Sequence, residues 1–98
     1  MIIVRNTFHM DPMRMKEAVT LAKEGREIVQ RLGFPVPRLS VDLASEFYTL
    51  VLEITAPNLS AFESTAPRIF GDKEWQANYQ KVGALVESGY REVFTIVE

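Results

Sequence analysis

From Ile2 to His9 apolar and polar side chains alternate, and after Met10-Asp11-Pro12 the apolar period lengthens from two to nearly four as far as Leu32. In the first stretch Ile2, Val4 and Phe8 share one parity with Asn6, while Ile3, Arg5, Thr7 and His9 share the other, which predicts a strand with one mostly oily and one mostly polar face. Asp11 is a good N-cap and Pro12 suits the first helical position, where its missing N–H is no loss. The helix that follows repeats Met15, Ala18, Leu21, Ala22, Gly25, Ile28, Val29 and Leu32 along one stripe. Gly33 suits a left-handed C-cap, and Pro35 and Pro37 forbid continuation.

Leu39, Val41 and Leu43 alternate with Arg38, Ser40 and Asp42 in a second strand, Ala44-Ser45-Glu46 reads as a turn, and Phe47 to Thr55 alternate as a third strand closing a hairpin. Pro57 ends it. Ser60 with Glu63 fits a capping box for a short helix that stops near Pro67. Asn58-Leu59-Ser60 matches a glycosylation acceptor and reads better as capping chemistry. Asp72 is placed to cap a last helix with Trp75, Tyr79, Val82 and Val86 in one stripe and Leu85 beside it. Ser88-Gly89 ends that helix, and Tyr90 to Val97 alternate as a fourth strand.

This order, strand-helix-strand-strand-helix-strand, joins two right-handed βαβ crossovers through a hairpin. It gives an α+β, ferredoxin-like domain over residues 1–98: a four-stranded antiparallel sheet in the order 4-1-3-2 with its helices on one face. Ile2, Val4, Leu39, Val41, Leu43, Leu50, Leu52 and Ile54 are expected under the helices. Arg5, Thr7, His9, Ser40, Asp42, Phe47, Thr49, Val51 and Glu53 are expected on the open face, joined by Arg91 or Glu92 according to a strand-4 register that the pattern leaves open. One layer of helices covers one side of a sheet, so a second copy of the chain is the natural cover for the other.

Composition narrows the chemistry. The 98 residues are 47% apolar and 24% charged, ordinary for a globular chain, and a core of this size gains from a partner. With 11 basic and 13 acidic side chains and no basic run, nucleic acid is not an expected partner. The absence of Cys excludes disulfides, thiolate metal sites and cysteine nucleophiles, and a single His without helical ligand spacing leaves no metal and no cofactor to expect. No segment reaches the roughly 20 apolar residues of a membrane span and no basic leader opens the chain, so a cytoplasmic protein without membrane association is the expectation.

Ile2-Ile3-Val4-Arg5, and Glu74-Trp75-Gln76-Ala77-Asn78-Tyr79 running on to Val86-Glu87-Ser88-Gly89-Tyr90-Arg91-Glu92-Val93, resemble the opening strand and the closing helix and strand of the NIPSNAP-like proteins. These share the dimeric α+β barrel superfamily with antibiotic-biosynthesis-type monooxygenases. The resemblance implies a homodimer packed sheet to sheet around a cavity, with a small organic molecule bound between the subunits. It also carries two other readings, a cofactor-independent monooxygenase acting on an aromatic or polyketide-type substrate and a purely structural dimer. In the superfamily's haem-degrading branch Asn6 would match a strand-1 Asn, but Thr65 and Lys81 stand where that branch has Trp and His.

The residues that would carry these roles are few. His9 is the one side chain with an ordinary pKa suited to a general base, and the plainer role open to it is a solvent-facing or capping histidine. Arg5 and Glu53, with Thr7 and Thr49 between them, could orient a polar ligand group or simply pair with each other. Trp75 and Tyr79 are core residues or an aromatic platform at a cavity mouth, and Pro67 to Asp72 is a plain connection or a lid.

Overall fold

The computed structural model describes residues 1–44 and 46–98. Strand β1 spans Ile2–Met10, a 3-10 turn Pro12–Arg14 leads into α1 (Met15–Arg31), and β2 (Arg38–Val41) and β3 (Thr49–Ala56) follow. Two helices, α2 (Leu59–Phe70) and α3 (Lys73–Gly83), precede β4 (Val86–Thr95). The strands form one antiparallel sheet in the order β2-β3-β1-β4, the expected arrangement, with the helices on one side. The shortest principal extent is 18 Å, the thickness of one helix layer on one sheet.

Asp11 and Pro12 open the 3-10 turn and not α1 itself: the Asp11 carboxylate accepts from the Met13 amide at 3.0 Å, and α1 starts after the turn with Arg14 at its N-cap position and no side-chain cap. At the far end Gly33 takes φ +87°, its N–H donates to the Gln30 carbonyl at 3.0 Å, and the Phe34 N–H reaches back to the Val29 carbonyl at 3.3 Å. That pair of bonds is a Schellman cap, which needs a residue at ease in the left-handed region. The core sits where α1 crosses the sheet: Ala18, Leu21 and Ala22 pack with Met10, Leu50 and Leu85. Gly25 lets α3 approach closely, since a Cβ there would lie 2.7 Å from Asn78 Oδ1, and buried Asn78 donates to the Leu21 carbonyl at 2.8 Å.

Several boundaries differ from the sequence reading. Strand β2 stops at Val41 because Asp42 closes the connection, its N–H donating to the Thr49 carbonyl at 3.1 Å and its carboxylate accepting from the Thr49 N–H at 2.9 Å. Leu43, expected under the helices, is therefore 99% exposed, and Phe47, expected on the open face of a strand, is 81% exposed in the turn. Tyr48 adopts φ +62° and its carbonyl accepts from Met10 N–H at 2.9 Å, so β3 begins at Thr49. Ser45, assigned to the turn, lies outside the described residues.

The cap of α2 is Asn58, whose Oδ1 accepts from Ala61 N–H at 2.8 Å, so the expected box of Ser60 with Glu63 lies inside the helix. Pro67 does not stop α2. Its ring removes one hydrogen-bond donor, but Pro67 and Glu63 one turn earlier are both exposed, on a face where the loss is least costly. Asp72 caps α3 as expected, accepting from Trp75 N–H at 2.9 Å. That helix ends at Gly83, not at Ser88-Gly89, because Leu85 turns into the core and its carbonyl accepts from Asp11 N–H at 2.8 Å. Gly89 instead lies within β4 opposite Phe8, where a Cβ would come within 2.9 Å of the Thr7 carbonyl oxygen.

Candidate functional site

The sheet separates two concave regions. On the open face Arg5 stands between Glu53 of β3 and Glu92 of β4, which settles the strand-4 register: Tyr90, Glu92 and Phe94 share the open side with Arg5, Thr7 and His9, and Arg91 points to the helices. Arg5, Thr7, His9, Tyr90 and Glu92 line a shallow depression of about 430 Å³ together with Ser40, Thr49, Val51 and Glu53. Part of its charge is paired within the chain, and Glu92 has no ion-pair partner among the described residues. Arg5 Nη2 lies 3.6 Å from Glu53 Oε2, with its guanidinium 5.1 Å from the Phe94 ring centroid, and His9 Nε2 lies 3.3 Å from Glu46 Oε2. Thr7 and Thr49 are buried, and the Thr49 hydroxyl donates to the Glu46 carbonyl at 2.9 Å, so it holds the turn together.

The larger cavity lies on the other side of the sheet, within one chain. A partly open cavity of about 900 Å³ is bounded by the sheet at Asn6, Phe8, Leu52 and Ile54, by α1 at Gly25, Arg26 and Val29, by α2 at Phe62, Thr65 and Ile69, and by α3 at Trp75, Asn78 and Tyr79. Helix α2 shows what this space replaces. It has an apolar stripe and buries none of its residues, whereas α1 buries four, Ala18, Leu21, Ala22 and Val29. Its apolar face is turned toward a void where packing would otherwise be, a state that forfeits dispersion contacts unless another molecule supplies them.

Aromatic side chains crowd one wall. The Trp75 and Tyr79 rings stack with centroids 4.8 Å apart at 14°, and Phe70 leans on Trp75 at 5.0 Å. Arg91, from β4, donates through Nε to Asn6 Oδ1 at 2.7 Å and lies 5.5 Å from the Phe62 ring centroid.

The residues singled out from the sequence therefore do not converge on one site. Arg5, Thr7, His9, Thr49 and Glu53 gather on the open face, and Trp75 lines the cavity beneath the helices. The sequence marks Asn6 only as a match to a strand-1 Asn of the haem-degrading branch and Arg91 only as an alternative to Glu92 on the open face, so neither is expected to line a cavity beneath the helices. Parity is a further signal for Asn6, a polar residue on the strand face that otherwise carries Ile2, Val4 and Phe8.

No protein-family model matches the sequence, and no curated protein is significantly similar to it. Solved structures do match. An uncharacterized NIPSNAP domain protein from Burkholderia xenovorans superposes with a TM-score of 0.85 at 15% identity, over 99% of this chain and 95% of its own. A NIPSNAP family protein from Agrobacterium tumefaciens gives 0.90 at 16% identity over 99% and 93%. The chain has the fold of NIPSNAP proteins. An antibiotic biosynthesis monooxygenase shares it more loosely, with a TM-score of 0.76 at 15% identity over the full length of both chains. Among the described residues no helix is long and apolar enough to cross a membrane.

Proposed function

We propose that this NIPSNAP-like chain forms a homodimer through its open sheet face and that each subunit binds a small, largely apolar organic molecule between its sheet and its helices. The carrying observation is α2, an amphipathic helix that buries no residue of its own and faces a cavity of about 900 Å³. Cavities of this size, mostly apolar with a few converging polar groups, are the usual form of a small-molecule site. In the shallow depression opposite, Arg5 pairs with Glu53 and His9 lies against Glu46, and Val51 and Phe94 beside them give it apolar surface suited to a second copy.

The competing reading, a cofactor-independent monooxygenase with His9 as base, needs an apolar pocket beside that imidazole, whereas the apolar cavity lies on the other side of the sheet from His9. Binding of the neutral fluorophore N-phenyl-1-naphthylamine tests the proposal. The parent should bind it saturably, at one molecule per chain. Ala66→Trp, which fills the α2 wall, should abolish binding while keeping a cooperative thermal transition. Absence of binding by the parent, or equal binding by a folded Ala66→Trp variant, contradicts the proposal.

A further inference from the structure

The charge of the cavity lining runs against that of the chain. Acidic side chains outnumber basic ones overall, 13 to 11, yet the lining contains Arg26 and Arg91 and neither Asp nor Glu. On the open face Arg5 meets Glu53, and Arg14 and Arg31 meet carboxylates elsewhere. Among the described residues no carboxylate pairs with Arg26 or Arg91. Guanidinium groups that line an apolar cavity without an anion of their own leave a place for one supplied from outside.

Arg91 is also held in a defined pose. A guanidinium only donates, so the Asn6 atom at 2.7 Å from its Nε must be the amide oxygen, which turns the Asn6 NH₂ the other way. Asn6 sits on β1, between β3 and β4, and the Phe62 ring backs the guanidinium at 5.5 Å. With Nε occupied, the Arg91 Nη groups and the Asn6 Nδ2 make no hydrogen bond to any other described residue and remain free to donate. Arg91 itself is exposed. The charged end of a ligand would therefore rest at the rim, where desolvation costs least, with its body directed toward Phe8, Leu52 and Trp75.

We infer that the cavity takes a monoanionic, largely apolar molecule, an aromatic or alicyclic carboxylate, whose anion is bound by Arg91 and Asn6. This deepens the reading of the cavity as a small-molecule site and rests on it. The planar fork of Arg91 suits two carboxylate oxygens, a geometry that a lysine does not reproduce.

Calorimetric titration with 6-phenylhexanoate and its neutral match 6-phenylhexanamide tests the inference. In the parent protein the acid should bind about ten- to a hundredfold more tightly than the amide, the range expected for a charge-assisted hydrogen bond. Arg91→Gln should bring the two affinities together while leaving that of the amide nearly unchanged, Arg91→Lys should fall between, and Asn6→Ala should lower the acid alone. If acid and amide bind equally to the parent, or if the preference survives Arg91→Gln, the anion site is overturned and the cavity reading stands. If neither compound binds while N-phenyl-1-naphthylamine still does, the ligand class is wrong. If the dye also fails to bind, the cavity reading itself falls.

Discussion

Gly25 and Asn78 show how much of this molecule rests on single positions. Helix α3 lies against α1 only because Gly25 has no side chain: an added Cβ would stand 2.7 Å from Asn78 Oδ1, and Asn78 is buried with its NH₂ given to the Leu21 carbonyl. Gly25→Ala must push the helices apart or turn the amide from its partner. We expect it to lower stability by about 1–3 kcal/mol in chemical denaturation, despite the better helix propensity of Ala. An unchanged or raised midpoint would refute this account of the crossing. At this scale the sequence disclosed parity well: Arg5, Thr7 and His9 do share a face, as alternation requires. It did not disclose partnership. Asn6 looked like a polar intruder in an apolar row, and its partner Arg91 is 85 positions away, on a strand whose register the pattern left undecided.

Among the elements, α2 is distinctive because its ends are firm and its middle is not. Asn58 fixes the first turn, while none of the twelve residues from Leu59 to Phe70 is buried. A helix without buried anchorage opens locally at little cost in free energy. Amide hydrogen exchange should therefore be faster across Leu59–Phe70 than across Met15–Arg31, and it should slow when the cavity is filled. Equal protection of the two helices in the free protein would contradict the packing described.

The same helix marks a limit of reading elements from sequence. Asn58 and Ser60 are both good N-caps two residues apart, and only the chain path after Pro57 selects between them. Pro67 breaks helices in general but is tolerated here on an exposed face, a fact of tertiary position. The start of β4 was hidden for a related reason. Val86 continues the apolar stripe of the helix before it, and the strand is set by Leu85 turning inward and by pairing with Met10.

For the whole molecule, the changes of period along the chain were enough to give the topology, because strand order follows from connection rules once the elements are known. The location of the larger cavity was not legible. Periodicity states which face of a helix is apolar, and it is silent on whether that face meets side chains or space, so the expectation of a hollow between subunits passed over the one within each. The open face keeps its proposed role as the dimer contact. Sedimentation equilibrium at micromolar concentration should give twice the 11.2 kDa chain mass, and Val51→Glu, which sets a charge amid that face, should give the monomer. A parent protein that sediments as a monomer would leave that face without its proposed cover.

The central claim is that ligand enters beneath the helices and not on the open face, and the sequence supplies its own reporters, a single Trp and a single His on opposite sides of the sheet. In an NMR titration with N-phenyl-1-naphthylamine, the Trp75 indole N–H resonance should shift saturably while the His9 imidazole resonances hold their positions. Movement of His9 with Trp75 unaffected would contradict the account.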